Sequence, residues 1–501
     1  MVTKQRVRVK AVSRRPAQAK RNFGAASSDR LSPFSSGVGN LGGLGGQTGP
    51  AVIRAQLPKL IAHARHLARN SDHAAALEMM HRRHVIGPVG VRLMAEAMTR
   101  AGEADKGLRE LVEAEFAKWG KRGNPTICGG LSFRQVQKMV ATMRVREGNF
   151  LAIKHFGRNR GPWGFQLEPV EFDRLAIDRS EKFANGNRLE GGIMFNADGR
   201  RISYLFRTGR PGMFNEIPAG RVMHVFDAVE PGQQFGVPLG RTGMRRLNQL
   251  EQFDEAAIAA AIFGASKMAF LKRDKDFDED IVGGAAGELE GEAADDGDEL
   301  EGDLIPTQLE AGSILDLPPG VSVENFDPTF PATDPSAFAR YFLKAIAASS
   351  GVSYAGLSGD LENANYSSLR DGRGEERDEW RVHQGDVIEQ FLVPVFESWL
   401  YAAELAGRIT GGDDVGRRAK AARWQARGWQ AVSPKDEAAG NQSDLDNGLR
   451  SKSDIAAARG EDFEDIVARR KRDAELEAAA GLPSAPPAKP AAAAPDKDDD
   501  E

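Results

Sequence analysis

The chain has 501 residues, of which 41% are hydrophobic and 28% charged, so it is long enough to bury a sizeable core. Its formal net charge of -5 argues against a protein whose main task is to grip nucleic acid tightly, although nucleic acid could slide past it. The single cysteine, Cys128, excludes intramolecular disulfides and favours a reducing compartment, where we expect a packed rather than a catalytic thiol.

The N-terminal part of the chain predicts a leader followed by helices. Residues 1–50 are basic and then rich in glycine, so we expect disorder there. Either this leader is a solvated tail, or it is an electrostatic arm for an acidic partner or nucleic acid. From Leu57 apolar residues recur three or four apart, which predicts helices, with Ser71 as an N-cap. A further helix is expected to end at Gly120.

The middle of the chain predicts a β-rich unit and then a long helix. "NFLAIKHF" and "AGRVMHVFD" predict strands within about 148–229, and Asp198-Gly199 predicts a tight hairpin turn. An Ala-rich helix begins near Thr242. Nearly every charged residue from 274 to 303 is acidic, which predicts a flexible acidic insertion. Two short strands around a Pro-Pro-Gly turn and a helix at 335–350 are expected after it.

The last part of the chain predicts a polar connector and a second long helix. Gly, Asn, Ser, Arg and Glu dominate residues 358–375, which predicts a loop. The helix after this loop runs to about Ala406, and Pro394 is expected to kink it. Residues 436–480 are charged and predicted helical, and the Pro/Ala-rich tail at 481–501 is predicted to be disordered.

Few residues have the spacing of an enzyme site. The chain has no phosphate-binding P-loop and no G-x-S-x-G motif. His81 and His84 lie one helical turn apart, but a third ligand in register is missing, so a structural or surface role is favoured. No run approaches the roughly 18 residues of a membrane span. We therefore expect no catalytic residue, cofactor, metal or membrane partner, in a protein assembled in the cytoplasm.

Several stretches resemble one protein family when they are taken in order. The two most specific are "IPAGRVMHVFDAVEPGQQFGVP" and "FARYFLKAIAASSGVSYAGLSGDLENANYSSLR". With the hairpin "GGIMFNADGRRISYLFR" and a similar C-terminal segment, they resemble the lambda-like portal proteins of tailed bacteriophages. The resemblance runs from about residue 57 to 480. The acidic insertion and the basic leader depart from the family pattern.

The resemblance implies an α+β portal fold in a ring oligomer, usually of twelve copies. That fold has a β-rich wing, two stem helices, a small α/β clip and a long kinked tunnel or crown helix. The implied ranges are 1–50 leader, 51–241 wing, 242–270 first stem helix, 271–333 clip, 334–357 second stem helix, 358–375 tunnel loop, 376–435 long kinked helix with wing and crown, 436–480 C-terminal helical segment and 481–501 tail.

The resemblance also implies a function: a channel at one capsid vertex for packaging and ejecting DNA. The implied partners are further copies of the chain, the terminase large subunit, head-tail connector or adaptor proteins, and the major capsid or scaffold protein. Double-stranded DNA is expected to pass without sequence specificity. The alternatives are another virion structural or scaffold component without a channel, or a hydrolase, for which a clustered nucleophile or ligand set is missing.

Two groups of residues are candidates for this function. Short polar side chains of the tunnel loop can make weak, sequence-blind contacts with phosphates. Its DNA-facing candidates are Asn363, Asn365, Ser367, Ser368, Arg370 and Arg373. The two arginines either contact phosphates or pair with Glu375 and Glu376 of a neighbouring subunit, and the sequence favours the second. The acidic insertion is expected to dock the packaging motor or an adaptor. Its candidates are Asp276, Asp278, Glu279, Asp280, Asp295, Asp296 and Asp298.

Overall fold

The computed structural model describes residues 49–265, 269–273, 321–325, 335–362, 366–410, 414–429 and 433–481. Its residues group into two compact units, of which the smaller spans Gln249–Tyr341. The larger unit is formed by Met1–Asn248 and Phe342–Glu501, within those ranges. Residues 49 and 50, which the sequence analysis assigned to the disordered leader, already belong to a helix, because the apolar periodicity of that helix starts before Leu57.

A group of helices with one short strand opens the larger unit. The elements are α1 (Gly49–Asn70), α2 (Asp72–His81), β1 (Arg92–Ala95), α3 (Lys106–Trp119) and α4 (Phe133–Arg146). The apolar residues that recur along α1 are buried, and Ser71 occupies the N-cap of α2, as predicted. Helix α3 ends next to Gly120, also as predicted. Ser132 and Gln135 cap α4 reciprocally, which satisfies backbone donors at its start.

The β-rich unit predicted at about 148–229 consists of two antiparallel sheets. The strands are β2 (Asn149–Phe156), β3 (Phe165–Val170), β4 (Ser180–Lys182), β5 (Arg188–Glu190), β6 (Ile193–Phe195), β7 (Arg201–Arg207), β8 (Phe214–Pro218) and β9 (Val222–Phe226). One sheet has the order β3-β2-β9 and the other β4-β5-β6-β7-β8. The predicted turn at Asp198-Gly199 joins β6 to β7, and Gly199 has the positive φ (84°) that such turns require.

A close backbone approach fixes the start of β2. Gly148 has a φ of 73°, and a Cβ on it would lie 2.3 Å from the carbonyl carbon of Val237. A Cβ on Gly236 would lie 2.0 Å from the carbonyl oxygen of Gly148. The Asn149 side chain donates to the Gly236 carbonyl (2.9 Å) and accepts from the Gly236 amide (2.8 Å). Only glycine fits at these two positions, so the part of the β9–α5 connection around Gly236 and Val237 is held against the start of β2.

The smaller unit contains two helices and a strand pair. Helices α5 (Met244–Ala265) and α6 (Pro335–Ser349) extend into it, and β10 (Ala269–Arg273) pairs antiparallel with β11 (Val321–Asn325). The rings of Phe253 and Phe338 lie 4.1 Å apart. The predicted first stem helix at 242–270 is wrong at its end, because "AFLKR" pairs with the β-branched "VSVEN" and its backbone bonds to that strand.

A long helical segment follows the polar connector. It comprises α7 (Tyr354–Ser358), α8 (Tyr366–Val387), a π-helical turn (Ile388–Leu392) and α9 (Val393–Leu405). The predicted loop at 358–375 is wrong from Tyr366 onward, where α8 begins. The Arg- and Glu-rich sequence contains good helix formers, and they outweigh the cost of about 1 kcal/mol for each of Gly372 and Gly374.

Pro394 occupies the second position of α9, directly after the π-helical turn. Proline cannot donate a backbone hydrogen bond, and a wide turn is one way a helix accommodates this. The irregular hydrogen bonding therefore lies where the sequence placed a kink, while the bend itself stays a prediction.

An aromatic core joins this long helix to α3 and α4. Phe116 makes edge contacts with Phe396 and Trp399, with ring centroids 5.7 Å and 4.9 Å apart. Trp119 is completely buried, and its indole N–H donates to the carbonyl of Phe165 (3.0 Å). Large aromatic side chains bury the most apolar area per residue, so this cluster holds α9 against the rest of the larger unit.

The C-terminal part comprises α10 (Val415–Arg418), β12 (Ala422–Gln425), which pairs with β1, and the helices α11 (Pro434–Asp446), α12 (Lys452–Ala458) and α13 (Phe463–Ala479). The predicted helices in 436–480 are therefore confirmed. Two of the C-terminal helices, α11 and α13, have no buried residue. The described strands pair antiparallel, and eight of them follow one another in β2 to β9 while most helices lie outside that stretch, which confirms the α+β class.

Candidate functional site

The predicted tunnel-loop residues are only partly within the described structure. Ser367, Ser368 and Arg370 lie in the first two turns of α8, and Arg373 lies one turn further, with an exposed side chain. Asn363 and Asn365 lie outside the described residues. The candidates in the acidic insertion also lie outside them: Asp276, Asp278, Glu279, Asp280, Asp295, Asp296 and Asp298.

Local hydrogen bonds order the chain as it enters this loop. Gly359 ends α7 in the left-handed conformation (φ 71°). The Tyr354 hydroxyl donates to the Asp360 carboxylate (2.7 Å), and that carboxylate also accepts from the Glu362 amide (2.8 Å). The segment from Gly359 to Glu362 is thus a structured turn.

A cleft of about 500 Å³ lies beside this turn, and we refer to it as the arginine cleft. The described residues that line it come from α2, the turn after α2, α7, α8 and the segment after β12. The members with charged or aromatic side chains are Arg83, His84, Tyr354, Arg373, Glu376, Arg377, Trp380 and Trp429. Three arginines therefore share the lining with one carboxylate.

Stacked rings form the inner wall of the arginine cleft. The rings of His84 and Trp380 are stacked, with centroids 5.2 Å apart and planes at 14°. The indole N–H of Trp429 donates to Nδ1 of His84 (3.3 Å), which requires an unprotonated Nδ1. Burial, together with the charges of Arg427 and Arg83, lowers the pKa of His84 to about 4. His84 is therefore neutral near pH 7.

Burial and neighbouring positive charges destabilise the charged forms of Arg377 in the cleft lining and of Arg427 beside it. Burial lowers the pKa of Arg377, and the charges of Arg373 and Arg381 act in the same direction, whereas Glu437 opposes them. Burial also lowers the pKa of Arg427, as do the neighbouring charges of Arg83 and Arg377. Like charges that are partly withdrawn from water cost free energy, and a bound anion would reduce that cost.

A second arginine site, which we call the Arg144 anchor, lies further along α8. The side chain of Arg144 is 3% exposed. It donates to the carboxylates of Asp227 (2.5 Å) and Asp386 (2.7 Å) and to the carbonyl of His383 (3.2 Å). These contacts connect α4, the end of β9 and α8. The pKa of Asp386 lies below its usual value, because His383 and Arg144 favour the charged carboxylate.

His81 packs between the two arginine sites. Its ring meets that of Trp380 edge-on at 4.8 Å and lies 5.4 Å from that of His383. Its Nδ1 donates to the carbonyl of Leu77 (3.0 Å). Burial, together with the nearby charges of His383 and Arg144, lowers the pKa of His81 to about 3. The structural role that the sequence favoured for His81 and His84 is thus the one that the contacts support.

One cluster of described residues has the composition of a cation site: Asp227, His383 and Asp386, whose ligand atoms lie within 4.8 Å of one another. Arg144 already donates to both carboxylates and supplies the positive charge there.

The expectation of a packed Cys128 is wrong, since its thiol is exposed. The reason is that Cys128 lies in the turn-rich segment between α3 and α4 rather than in either helix.

Sequence reasoning missed most of the residues that form these two sites. The signal for the cleft was present in two short runs: "HRRH" around Arg83 and "WQARGW" around Arg427. Nothing local marks Arg144, whose carboxylate partners lie 83 and 242 residues away in sequence.

Within the described part of the chain, every helix is too short or too polar to cross a membrane.

Comparisons with known proteins give the family. The model of the lambda family of phage portal proteins matches residues 45–384. A probable portal protein of Halomonas phage phiHAP-1 is 29% identical over 474 residues, covering 93% of this chain and 88% of its own. The portal protein of Escherichia phage N15 is 24% identical, covering 91% and 92%, and portal protein B of Escherichia phage lambda is 24% identical, covering 86% and 86%.

Among solved structures, a chain in the virion of a native gene transfer agent particle aligns with a TM-score of 0.43 at 13% identity, covering 85% of this chain and 94% of its own. The family match spans well over half of the sequence, from a few residues before α1 to the last turn of α8. The chain therefore belongs to the lambda family of phage portal proteins.

Proposed function

We propose that this portal protein assembles into a ring at one capsid vertex and forms the channel for packaging and ejecting DNA. The observation that carries the proposal is the family match over residues 45–384. The proposal includes further copies of the chain, twelve in a closed ring, and double-stranded DNA that passes without sequence readout. We also propose the terminase large subunit, head-tail connectors and the major capsid or scaffold protein as partners.

The surface of α5 supports a ring. The second half of this helix is rich in alanine, and Ile258 and Ile262, one turn apart, are 61% and 60% exposed in the single chain. Burying apolar area is favourable by roughly 25 cal/mol per Å², so such a stripe is expected to pack against another surface. We propose that a neighbouring subunit covers it.

We assign the regions of the portal fold to the elements as follows. The helices α1 to α4 and the two sheets form the wing, α5 and α6 are the stem helices, and the segment between them is the clip. The tunnel loop is the short connection between α7 and α8, and the long helix with its Pro394 irregularity leads to the wing and crown. This order follows the chain order that the resemblance implies.

Electron microscopy of the purified protein tests the ring. We expect closed rings with a central hole, and two-dimensional class averages will give the number of subunits. Ile258→Glu is expected to reduce ring formation, because it buries a charge in the proposed contact. Leu449→Glu serves as the matched control. Leu449 lies between α11 and α12, and its side chain is 75% exposed. A protein that stays monomeric would contradict the channel.

Packaging assays test the tunnel loop. Asn365→Ala combined with Ser367→Ala should leave ring assembly intact and lower packaging, because the polar contacts to phosphates are lost. The loss of assembly instead would make these residues packing elements.

Deletion of residues 274–303 tests the acidic insertion. We expect weaker binding of the ring to the terminase or an adaptor, since an acidic segment complements a basic partner face. Unchanged affinity and packaging efficiency would show that the insertion does not dock a partner.

A further inference from the structure

We propose that the arginine cleft is a contact site for the phosphodiester backbone of the DNA in the channel. The inference rests on the proposed channel and adds a site to it. The residues that would bind phosphates are Arg83, Arg373 and Arg377 in the lining, with Arg381 and Arg427 beside it. These arginines come from three stretches of the sequence that the fold brings together.

The charge of the cleft points to an anionic ligand. Three arginines and Glu376 are the charged groups of the described lining. Arg83 and Arg373 are exposed, so their guanidinium groups can reach a ligand in solvent. Arg377 and Arg427 are partly buried among other positive charges. A site with this excess of arginine attracts an anion by long-range electrostatics and by direct hydrogen bonds.

Two arginines beside the cleft are held in defined orientations. The guanidinium carbon of Arg381 lies 5.7 Å from the ring centre of Trp429, and Asp378 holds the same side chain with a 2.5 Å hydrogen bond. Arg427 donates to the carbonyl of Arg83 (2.5 Å) and approaches Nδ1 of His84 (3.4 Å). Arginines fixed in this way lose little conformational entropy on binding and present planar donors that match phosphate oxygens.

The position of the cleft favours DNA over an acidic protein segment. Leu361 and Gly372, which flank the proposed tunnel loop, also line the cleft. Phosphates that pass the loop would therefore pass the cleft mouth. Contacts of a few arginines per subunit are individually weak and independent of base sequence, as a sliding duplex requires. This arrangement supports the first of the two roles considered for Arg373, contact with phosphates.

DNA binding by assembled rings tests the proposal. The variant is Arg83→Gln, Arg373→Gln and Arg377→Gln together, and the probes are two blunt duplexes of unrelated sequence. We expect the affinity for both duplexes to fall about 10-fold or more near 50 mM salt, with a salt dependence shallower by about 1 or more in the log-log slope. Ring formation is checked by electron microscopy on the same samples.

A matched control removes three exposed arginines from the β-rich unit: Arg158→Gln, Arg210→Gln and Arg221→Gln. It makes the same change in net charge and should leave the affinity within about twofold, because only contacting charges release counterions. Equal losses of affinity in both variants would show that the effect depends only on net charge, and the proposed site would be wrong. If the cleft variant no longer forms rings while the control does, the cleft is a subunit contact and the proposal is wrong. Intact rings with unchanged affinity also overturn it but leave the channel standing, whereas a wild-type chain without rings contradicts the channel itself.

Discussion

Helix α8 takes part in two arginine sites whose charge balance is opposite. At the Arg144 anchor, one guanidinium is almost completely buried between two carboxylates and a carbonyl. At the arginine cleft, three arginines share the described lining with a single carboxylate. The anchor satisfies its charge within one chain. Among the described residues that line the cleft, arginines outnumber carboxylates.

This difference separates a structural arginine from arginines placed for a ligand. A buried charge is tolerated when counter-charges and hydrogen bonds compensate it, and removing one partner then leaves the others uncompensated. Partly exposed arginines that repel one another contribute little to folding, and part of that repulsion is relieved when an anion binds. The two sites should therefore respond in opposite ways when an arginine is removed.

The largest effect is expected at the Arg144 anchor. Arg144→Met keeps most of the apolar stem of the side chain but leaves Asp227 and Asp386 without their buried counter-charge. We expect the free energy of unfolding to fall by about 3–5 kcal/mol. Urea denaturation followed by circular dichroism at pH 7 measures this change.

The exposed pair of Arg423 and Glu96 provides the control. The Arg423 side chain is 82% exposed, so Arg423→Ala should cost less than about 1 kcal/mol. If Arg144→Met lowered the stability as little as this control, the anchor would not hold α4, β9 and α8 together. The Arg144 anchor would then not differ from the arginine cleft in its contribution to stability.

A smaller, pH-dependent effect is expected from His81, which lies between the sites. Its pKa is about 3 in the folded chain, compared with about 6.5 when unfolded, so the unfolded state binds more protons between these values. Stability should therefore fall as the pH drops below about 6.5, by about 2 kcal/mol between pH 7 and pH 5 for this one group.

His81→Phe isolates that contribution. The phenyl ring retains the edge contact with Trp380 and cannot be protonated, so the loss of stability from pH 7 to pH 5 should shrink by about 2 kcal/mol. Urea denaturation at both pH values measures it. His66→Gln changes an exposed histidine on α1 and is expected to leave the pH dependence as it is in the unmodified chain. An unchanged pH dependence in His81→Phe would mean that His81 is not neutral in the folded state.

The features that were predicted correctly from the sequence depend on residues that lie close together in the chain. The helix stripe of α1, the hairpin at Asp198-Gly199 and the helix in "FARYFLKAIAASS" all follow from local periodicity or turn chemistry. The errors have non-local causes. Strand β10 exists because β11 pairs with it from about fifty residues away, and α8 starts at Tyr366 although glycine-rich polar sequence suggested a loop.

The two arginine sites could not be predicted from local sequence patterns, because their residues are distant in the chain. Arg83, Arg373 and Arg377 line one cleft, with Arg427 beside it, only after α2, α8 and the segment after β12 have packed together. Family resemblance supplied the function and the neighbourhood of the tunnel loop, but it did not supply these side chains. Their meeting is a property of the fold, and only the structure shows it.

The smallest expected effect completes the contrast, because removing arginines from the cleft should not lower the stability as Arg144→Met does. Arg83→Gln with Arg373→Gln removes two exposed positive charges from the cleft, so the free energy of unfolding should stay within about 0.5 kcal/mol or rise slightly. Urea denaturation at pH 7 measures it, with Arg158→Gln and Arg210→Gln as the matched control. A loss of several kcal/mol in the cleft variant alone would show that these arginines support the fold as Arg144 does, and the cleft would no longer differ from the anchor.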